Sequence, residues 1–146
     1  MNHLQHLYQK YKNTRHLQWN IEEFILLLEF FPAMMVIMSD GIYDEEEKVY
    51  VNKLSQNMSL FLAQDDIRLY SSEDMQEKFK NELEYLANNI DDWKDEFLVV
   101  LHEHLQIHPQ NKTLINDLIH LIAQVSQSVS NAEQSMIHYI SERLAL

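Results

Sequence analysis

Residues 20–39 read NIEEFILLLEFFPAMMVIMS, and this stretch decides how the chain folds. Apolar residues stand on nearly every side of the helix that these residues would form. A helix that is apolar all round is buried inside its protein rather than laid on the surface. The stretch therefore predicts a central buried helix from about Asn20 to Ser39. Pro32 predicts that this helix is kinked or split in two, because proline cannot donate the usual backbone hydrogen bond.

The composition favours a single all-α domain. The 146 residues include one glycine and two prolines, and helix formers such as Leu, Glu, Gln and Lys dominate. Such a composition favours helices, and a chain of this length can bury one sizeable core. No linker rich in Gly, Ser or Pro divides it. We therefore expect one domain over residues 1–146, with an N-terminal helix and connector in residues 1–19 and the core in residues 20–146.

Apolar spacing along the rest of the chain predicts a bundle of about seven helices. Apolar residues at i, i+3, i+4 and i+7 lie on one face of a helix. The first helix is expected to be short, from Leu4 to Tyr11, with a polar stretch from Lys12 to Arg15 separating it from the central helix. The same spacing predicts the remaining helices at about 44–57, 75–90, 91–108, 114–125 and 136–144.

The third and last helices share an apolar pattern that suggests an internal repeat. Counted from Glu47 and from Glu133, apolar residues stand at the same offsets of +3, +4, +7 and +11. Further matches lie upstream at the same separation. A pseudo-repeated helix–turn–helix would thus relate helices two and three to helices six and seven. The alternative is that any two amphipathic helices share a period of 3.6 residues.

The charge balance and the lack of cysteine exclude several classes of function. The formal net charge is −12, whereas nucleic acids and anionic membranes are bound largely through Lys and Arg. Cations or a basic protein partner suit this charge better. With no cysteine, disulfides, thiolate zinc sites and iron–sulfur clusters are excluded. No secretory signal or apolar run of membrane-spanning length is visible, so we expect a cytoplasmic, soluble protein.

The residues after the central helix, Asp40-Gly41-Ile42-Tyr43-Asp44-Glu45-Glu46-Glu47, combine the only glycine with five carboxylates. One interpretation is purely structural. Gly41 would end the central helix in the left-handed conformation, which glycine enters without steric cost. Asp44 would cap the next helix, and Glu47 stands at the capping-box spacing from it. Acidic residues in a first turn also suit the helix dipole.

The second interpretation of this acidic turn, residues 40–47, is a divalent cation site. Ca²⁺ and Mg²⁺ bind several oxygen ligands that converge from a sharply bent turn. Asp40, Asp44, Glu46 and Glu47 are the candidate ligands, and five carboxylates exceed what a cap requires. Uncompensated, these carboxylates repel one another, and a bound cation would relieve that repulsion. The turn is not an EF-hand, because apolar residues occupy the ligand positions before Gly41.

Asp40-Gly41 followed by five residues and Glu47, between a hydrophobic helix and an amphipathic one, resembles the tellurite-resistance TerB-like family. The resemblance implies an all-helical, pseudo-symmetric bundle that acts in bacterial stress or tellurite-resistance systems. It also implies that Asp40 and Glu47, and more weakly Asp44 and Glu46, bind a divalent cation such as Ca²⁺ or Mg²⁺. A second copy of the motif would fall at Ser126 to Glu133, where the acidic pattern is absent.

Other candidate sites carry weaker signals. His104 and His108 lie four residues apart and form a possible zinc pair, although Pro109 places His108 at an end expected to fray. No Glu-x-x-His, Gly-x-Ser-x-Gly or P-loop is present, so no enzyme class is indicated. We therefore expect a non-enzymatic helical domain that binds a cation or an unidentified protein partner. The alternative is a metal-free interaction or scaffold module in which the acidic turn only caps helices.

Overall fold

The computed structural model describes residues 2–39, 48–49, 51–56, 72–125 and 131–146. Seven helical elements occupy these ranges, and no strand occurs within them. The prediction of an all-α bundle is confirmed. The helices are α1 His3–Arg15, α2 Ile21–Ile37, α3 in residues 48–49 and 51–56, α4 Ser72–Asn88, α5 Ile90–Ile107, α6 Asn111–Val125 and α7 Asn131–Leu144. None of the helices in the described ranges is long and apolar enough to cross a membrane.

Helix α2 is the central buried helix that its sequence predicts. It begins with a capping box: the Asn20 side chain accepts the Glu23 N–H at 2.8 Å, and the Glu23 carboxylate accepts the Asn20 N–H at 3.2 Å. Every residue from Leu27 to Ile37 is buried. The helix packs against α1, α4, α5, α6 and α7. It is the element around which the described helices gather.

The structure corrects two expectations about the first helices. Helix α2 is continuous from Ile21 to Ile37, so of the two alternatives for Pro32 the split helix is wrong; packing on all sides holds the helix where proline removes one hydrogen bond. Helix α1 does not stop at Tyr11 but continues to Arg15. Lys12 and Arg15 lie in its last turn, where cations suit the helix dipole, and His16 ends it in the left-handed conformation at φ 56°.

An aromatic cluster joins α1, α2 and α5. The Tyr11 ring lies 5.1 Å from the Trp93 ring in an edge-to-face arrangement, and Phe31 lies 4.7 Å from Phe97. Phe24 contacts both Tyr11 and Phe97 at ring separations of 5.6 and 5.8 Å. Edge-to-face pairs of this kind stabilise a core beyond the area that they bury. The cluster therefore fixes how the two outer helices sit on α2.

A buried ion pair ties the end of α1 to α4. The Glu82 side chain is 4 % exposed and accepts hydrogen bonds from Arg15 Nε at 2.8 Å, Arg15 Nη2 at 3.3 Å and the Tyr11 hydroxyl at 2.8 Å. Burial, together with the Glu82 carboxylate, raises the pKa of Tyr11, so its hydroxyl remains a donor. The Arg15 guanidinium also stacks 3.9 Å above the Tyr85 ring. The extension of α1 to Arg15 is what places the guanidinium here.

Replacing Arg15 with methionine should destabilise the protein because Glu82 would keep its buried charge without the cation. Breaking a buried pair in this way costs about 3 kcal/mol of unfolding free energy, measurable by urea denaturation at pH 7. The matched control is Arg143→Met, since Arg143 approaches the exposed Asp95 only at 3.8 Å. That substitution should cost less than about 1 kcal/mol. Equal losses in the two variants would contradict the role given to the Arg15–Glu82 pair.

Candidate functional site

The acidic turn predicted from the sequence lies outside the described residues. This holds for Asp40, Gly41, Asp44, Glu46 and Glu47 alike, so cation binding there stays a prediction. The chain is described up to Ser39, whose N–H and hydroxyl both donate to the Val36 carbonyl at 3.2 and 2.8 Å. In the second copy of the motif, Ser126 also lies outside the described residues, while Glu133 stands in the first turn of α7.

A surface groove lies between α1 and α5. It has a volume of about 510 Å³. Its α1 side bears two histidines, a leucine and a lysine, and its α5 side bears two carboxylates and two valines. The lining residues are His3, His6, Leu7, Lys10, Asp95, Glu96, Val99 and Val100. We call this feature the α1–α5 groove.

The floor of the α1–α5 groove is apolar. Leu7 and Val100 are buried and belong to the core, while Val99 is 46 % exposed. A large apolar side chain exposed in the middle of a groove differs from one scattered singly on a convex surface, because a ligand can cover it on several sides. Sequence reasoning missed this feature. The sequence did contain one indication of it: Val99 is an apolar residue on the outward face of α5, between the charged residues Glu96 and Glu103.

Ion pairs span the groove near its two ends. His3 Nδ1 lies 2.8 Å from the Glu103 carboxylate, and the Lys10 ammonium pairs with Glu96. Both pairs are solvent-exposed and so contribute little to stability. The Glu96 carboxylate neutralises the charge of Lys10 on the α1 side. Asp95 keeps only its 3.8 Å contact with Arg143, so the α5 side retains an excess of negative charge.

Glu29 is a buried carboxyl group in the middle of α2. It is 7 % exposed and has no hydrogen-bond or ion-pair partner among the described residues. Burial raises its pKa to about 7. The signal was present in the sequence, because Glu29 is the only charged residue between Phe24 and Met38. Sequence reasoning concentrated on the apolar residues of this helix and passed over it.

Two histidines at the end of α5 lie side by side. The rings of His104 and His108 are 4.8 Å apart, and Nε2 of His104 is buried without a hydrogen-bond partner in the described structure. Burial, and then the neighbouring His108, lowers the pKa of His104. Across the described ranges, no three His, Asp or Glu side chains converge where they could hold a metal ion.

Comparisons with protein-family models, with curated proteins and with solved structures give no match for this chain. The resemblance to the TerB-like family therefore rests on Asp40-Gly41 and Glu47, and it stays a prediction.

The buried Glu29 carboxyl makes stability depend on pH. A pKa that rises from 4.5 when unfolded to about 7 when folded means that the folded state holds the proton more tightly. Stability contributed by the neutral form is therefore present at pH 4.5 and is lost as the pH rises to 7, a loss of about 3 kcal/mol. Glu29→Gln, which cannot ionise, should match the wild type near pH 5 and exceed its unfolding free energy by that amount at pH 8.

Urea denaturation at pH 5, 6, 7 and 8 measures this difference. The control is Glu77→Gln, since Glu77 is exposed on α4, and this change should leave the pH profile unaltered. A difference between Glu29→Gln and wild type that stays constant across the series would contradict the assignment.

Proposed function

We propose that this chain is a non-enzymatic binding domain that receives a basic amphipathic helix of a partner protein in the α1–α5 groove. The observation that carries the proposal is the exposed Val99, which stands on an apolar floor beside the carboxylate of Asp95, which is 73 % exposed. Grooves of this kind bind a helix through apolar side chains at i, i+3, i+4 and i+7.

The size of the groove supports a helix rather than a flat protein surface as its ligand. His3 and Lys10 mark its ends and are seven residues apart on α1, which corresponds to about 10 Å along the helix axis. That length admits one or two apolar side chains from a helix lying along the groove. Burying them against Leu7, Val99 and Val100 would contribute about 1.5–3 kcal/mol for each side chain.

The charge around the groove supports a basic partner. Asp92 is exposed one turn before Glu96 on the same face of α5, and Asp95 is 73 % exposed. With a net charge of −12, the whole chain attracts cationic partners and repels anionic ones. Lysine or arginine residues that flank the apolar side chains of the partner would meet Asp92 and Asp95 at the rim. These rim pairs favour rapid association and choice of partner more than affinity.

The pairing of titratable groups supports a binding role over catalysis. His3 pairs with Glu103 and Lys10 pairs with Glu96, so these groups bridge the two helices. A catalytic site instead directs a nucleophile and a base toward one point where the substrate reacts.

A fluorescein-labelled helical peptide of leucine and lysine, with leucines at i, i+3, i+4 and i+7, is a suitable probe for the groove. It should bind the wild-type protein, as measured by fluorescence anisotropy, and its dissociation constant should rise at least about tenfold with Val99→Asp. Asp95→Lys should also weaken binding, because it reverses a charge at the rim. The loss of affinity should be larger at low salt than at high salt, since salt screens the charge.

The matched control for charge is Asp117→Lys, which changes the net charge equally at an exposed position of α6. It should leave the affinity of the peptide almost unchanged. A peptide of the same composition in scrambled order should bind more weakly. If Val99→Asp binds the peptide as tightly as the wild type and the Asp117→Lys control do, the peptide binds elsewhere and the groove is not the site.

A second proposed function is the binding of Ca²⁺ or Mg²⁺ by the acidic turn, as the TerB-like resemblance implies for a stress or tellurite-resistance protein. The specific support is the position of this turn in the chain. The central helix ends at Ile37, and five carboxylates follow within residues 40–47. An ion bound there would relieve repulsion among groups that directly follow the most buried helix.

Millimolar Ca²⁺ or Mg²⁺ should raise the melting temperature of the wild-type protein if the turn binds the ion only when folded. At an ion concentration one hundred times the dissociation constant, the gain is about 2.7 kcal/mol. Asp40→Asn should abolish that gain because it removes a candidate ligand. Differential scanning calorimetry with and without EDTA gives the measurement. An unchanged melting temperature in the wild-type protein would contradict the cation proposal.

Gly41→Ala tests the turn separately from the metal. If Gly41 has a positive φ, this variant should have a lower unfolding free energy than the wild type even without metal.

A further inference from the structure

His104 lies in the last turn of α5, and His108 is the residue that directly follows the helix, with φ −124° and ψ 68°. The two residues are four positions apart, and the backbone brings their rings together at the carboxyl-terminal end of the helix. The ring centroids are 4.8 Å apart with 44° between the ring planes. His108 is exposed, and His104 is half-buried beneath it. One imidazole is therefore open to solvent while the other lies directly behind it.

Backbone hydrogen bonds hold His108 in place, contrary to the expectation that this end frays. The His108 N–H donates to the His104 carbonyl at 2.9 Å, and the His108 carbonyl accepts the Asn111 N–H at 3.0 Å. The Lys112 N–H donates to the Pro109 carbonyl at 3.2 Å, and proline fixes its own φ. The short turn into α6 is thus pinned on both sides of His108. Little backbone entropy remains to be lost when the two rings bind a common ligand.

Nε2 of His104 is one of two unexplained polar atoms at this end of α5, the other being Nδ1 of His102. It is buried and has no hydrogen-bond partner among the described residues. Buried polar atoms in native proteins nearly always have a partner, so an orphaned one calls for an explanation. A neutral imidazole nitrogen without a proton is also the ligand atom that Zn²⁺, Ni²⁺ and Cu²⁺ prefer.

We propose that His104 and His108 together bind one divalent transition-metal ion, with Zn²⁺ as the reference case. The two imidazole nitrogens supply two ligands, and water completes the tetrahedral coordination that zinc adopts. Helical zinc sites use two histidines at i and i+4; here the second histidine of that spacing stands one residue beyond the helix, and the ring contact keeps the two imidazoles together. Ca²⁺ and Mg²⁺ require oxygen ligands and do not bind here. Neither histidine lines the α1–α5 groove.

The test is isothermal titration of untagged, chelator-treated protein with Zn²⁺. One ion per chain is expected, and its dissociation constant should rise at least tenfold in His108→Ala. His108 is exposed, so this variant keeps its fold, which circular dichroism verifies. His138→Ala on α7 is the matched control, because His138 is 76 % exposed and one turn from Glu142. It should bind Zn²⁺ as the wild type does.

Two further arms separate this site from the acidic turn. Asp40→Asn should retain Zn²⁺ binding, and excess Ca²⁺ should not displace the zinc. NMR signals of the His104 and His108 rings should shift on Zn²⁺ addition while those of His138 stay in place. Equal Zn²⁺ affinity in His108→Ala and wild type would overturn the proposal, as would loss of Zn²⁺ binding in Asp40→Asn with unchanged signals from the two rings.

Discussion

The structure depends on removing the apolar surface of α2 from water on every side. No single neighbouring helix can cover such a surface, because a helix pair buries only one stripe of each partner. Helices α1, α4, α5, α6 and α7 all contact α2, and each is amphipathic or partly polar on its outer side. Apolar burial of about 25 cal/mol per Å² is the main favourable contribution to folding. The need to cover the apolar surface of α2 therefore determines where the outer helices pack.

This arrangement leaves no exposed residue on α2 from Leu27 to Ile37, so the groove formed by the described helices lies on the outer ones. Helix α5 shows the division most clearly. Trp93 and Phe97 pack inward against Tyr11 and Phe31, while Val99 faces the groove on the opposite side. Because the aromatic cluster fixes the separation of α1 and α5, it also sets the width of the α1–α5 groove. One side of α5 thus packs in the core, and the opposite side lines the groove.

The central helix and the all-α class could be predicted because both follow from patterns within short segments. The capping box at Asn20 is local as well. The groove could not be predicted, since it depends on which turn of α1 meets which turn of α5, and this contact joins residues such as His3 and Glu103 that are 100 positions apart. The length of α1 was misjudged for the same reason. Arg15 looks like a linker residue until Glu82 of α4 is seen to bind it.

The only glycine of the chain is weaker evidence for a turn than its rarity suggests. Two described helices end with a residue in the left-handed conformation, and neither residue is glycine: His16 has φ 56° and Ala145 has φ 55°. A left-handed residue with a β-carbon costs about 1–2 kcal/mol, which this fold evidently tolerates at helix ends. A helix end alone therefore does not demand glycine here.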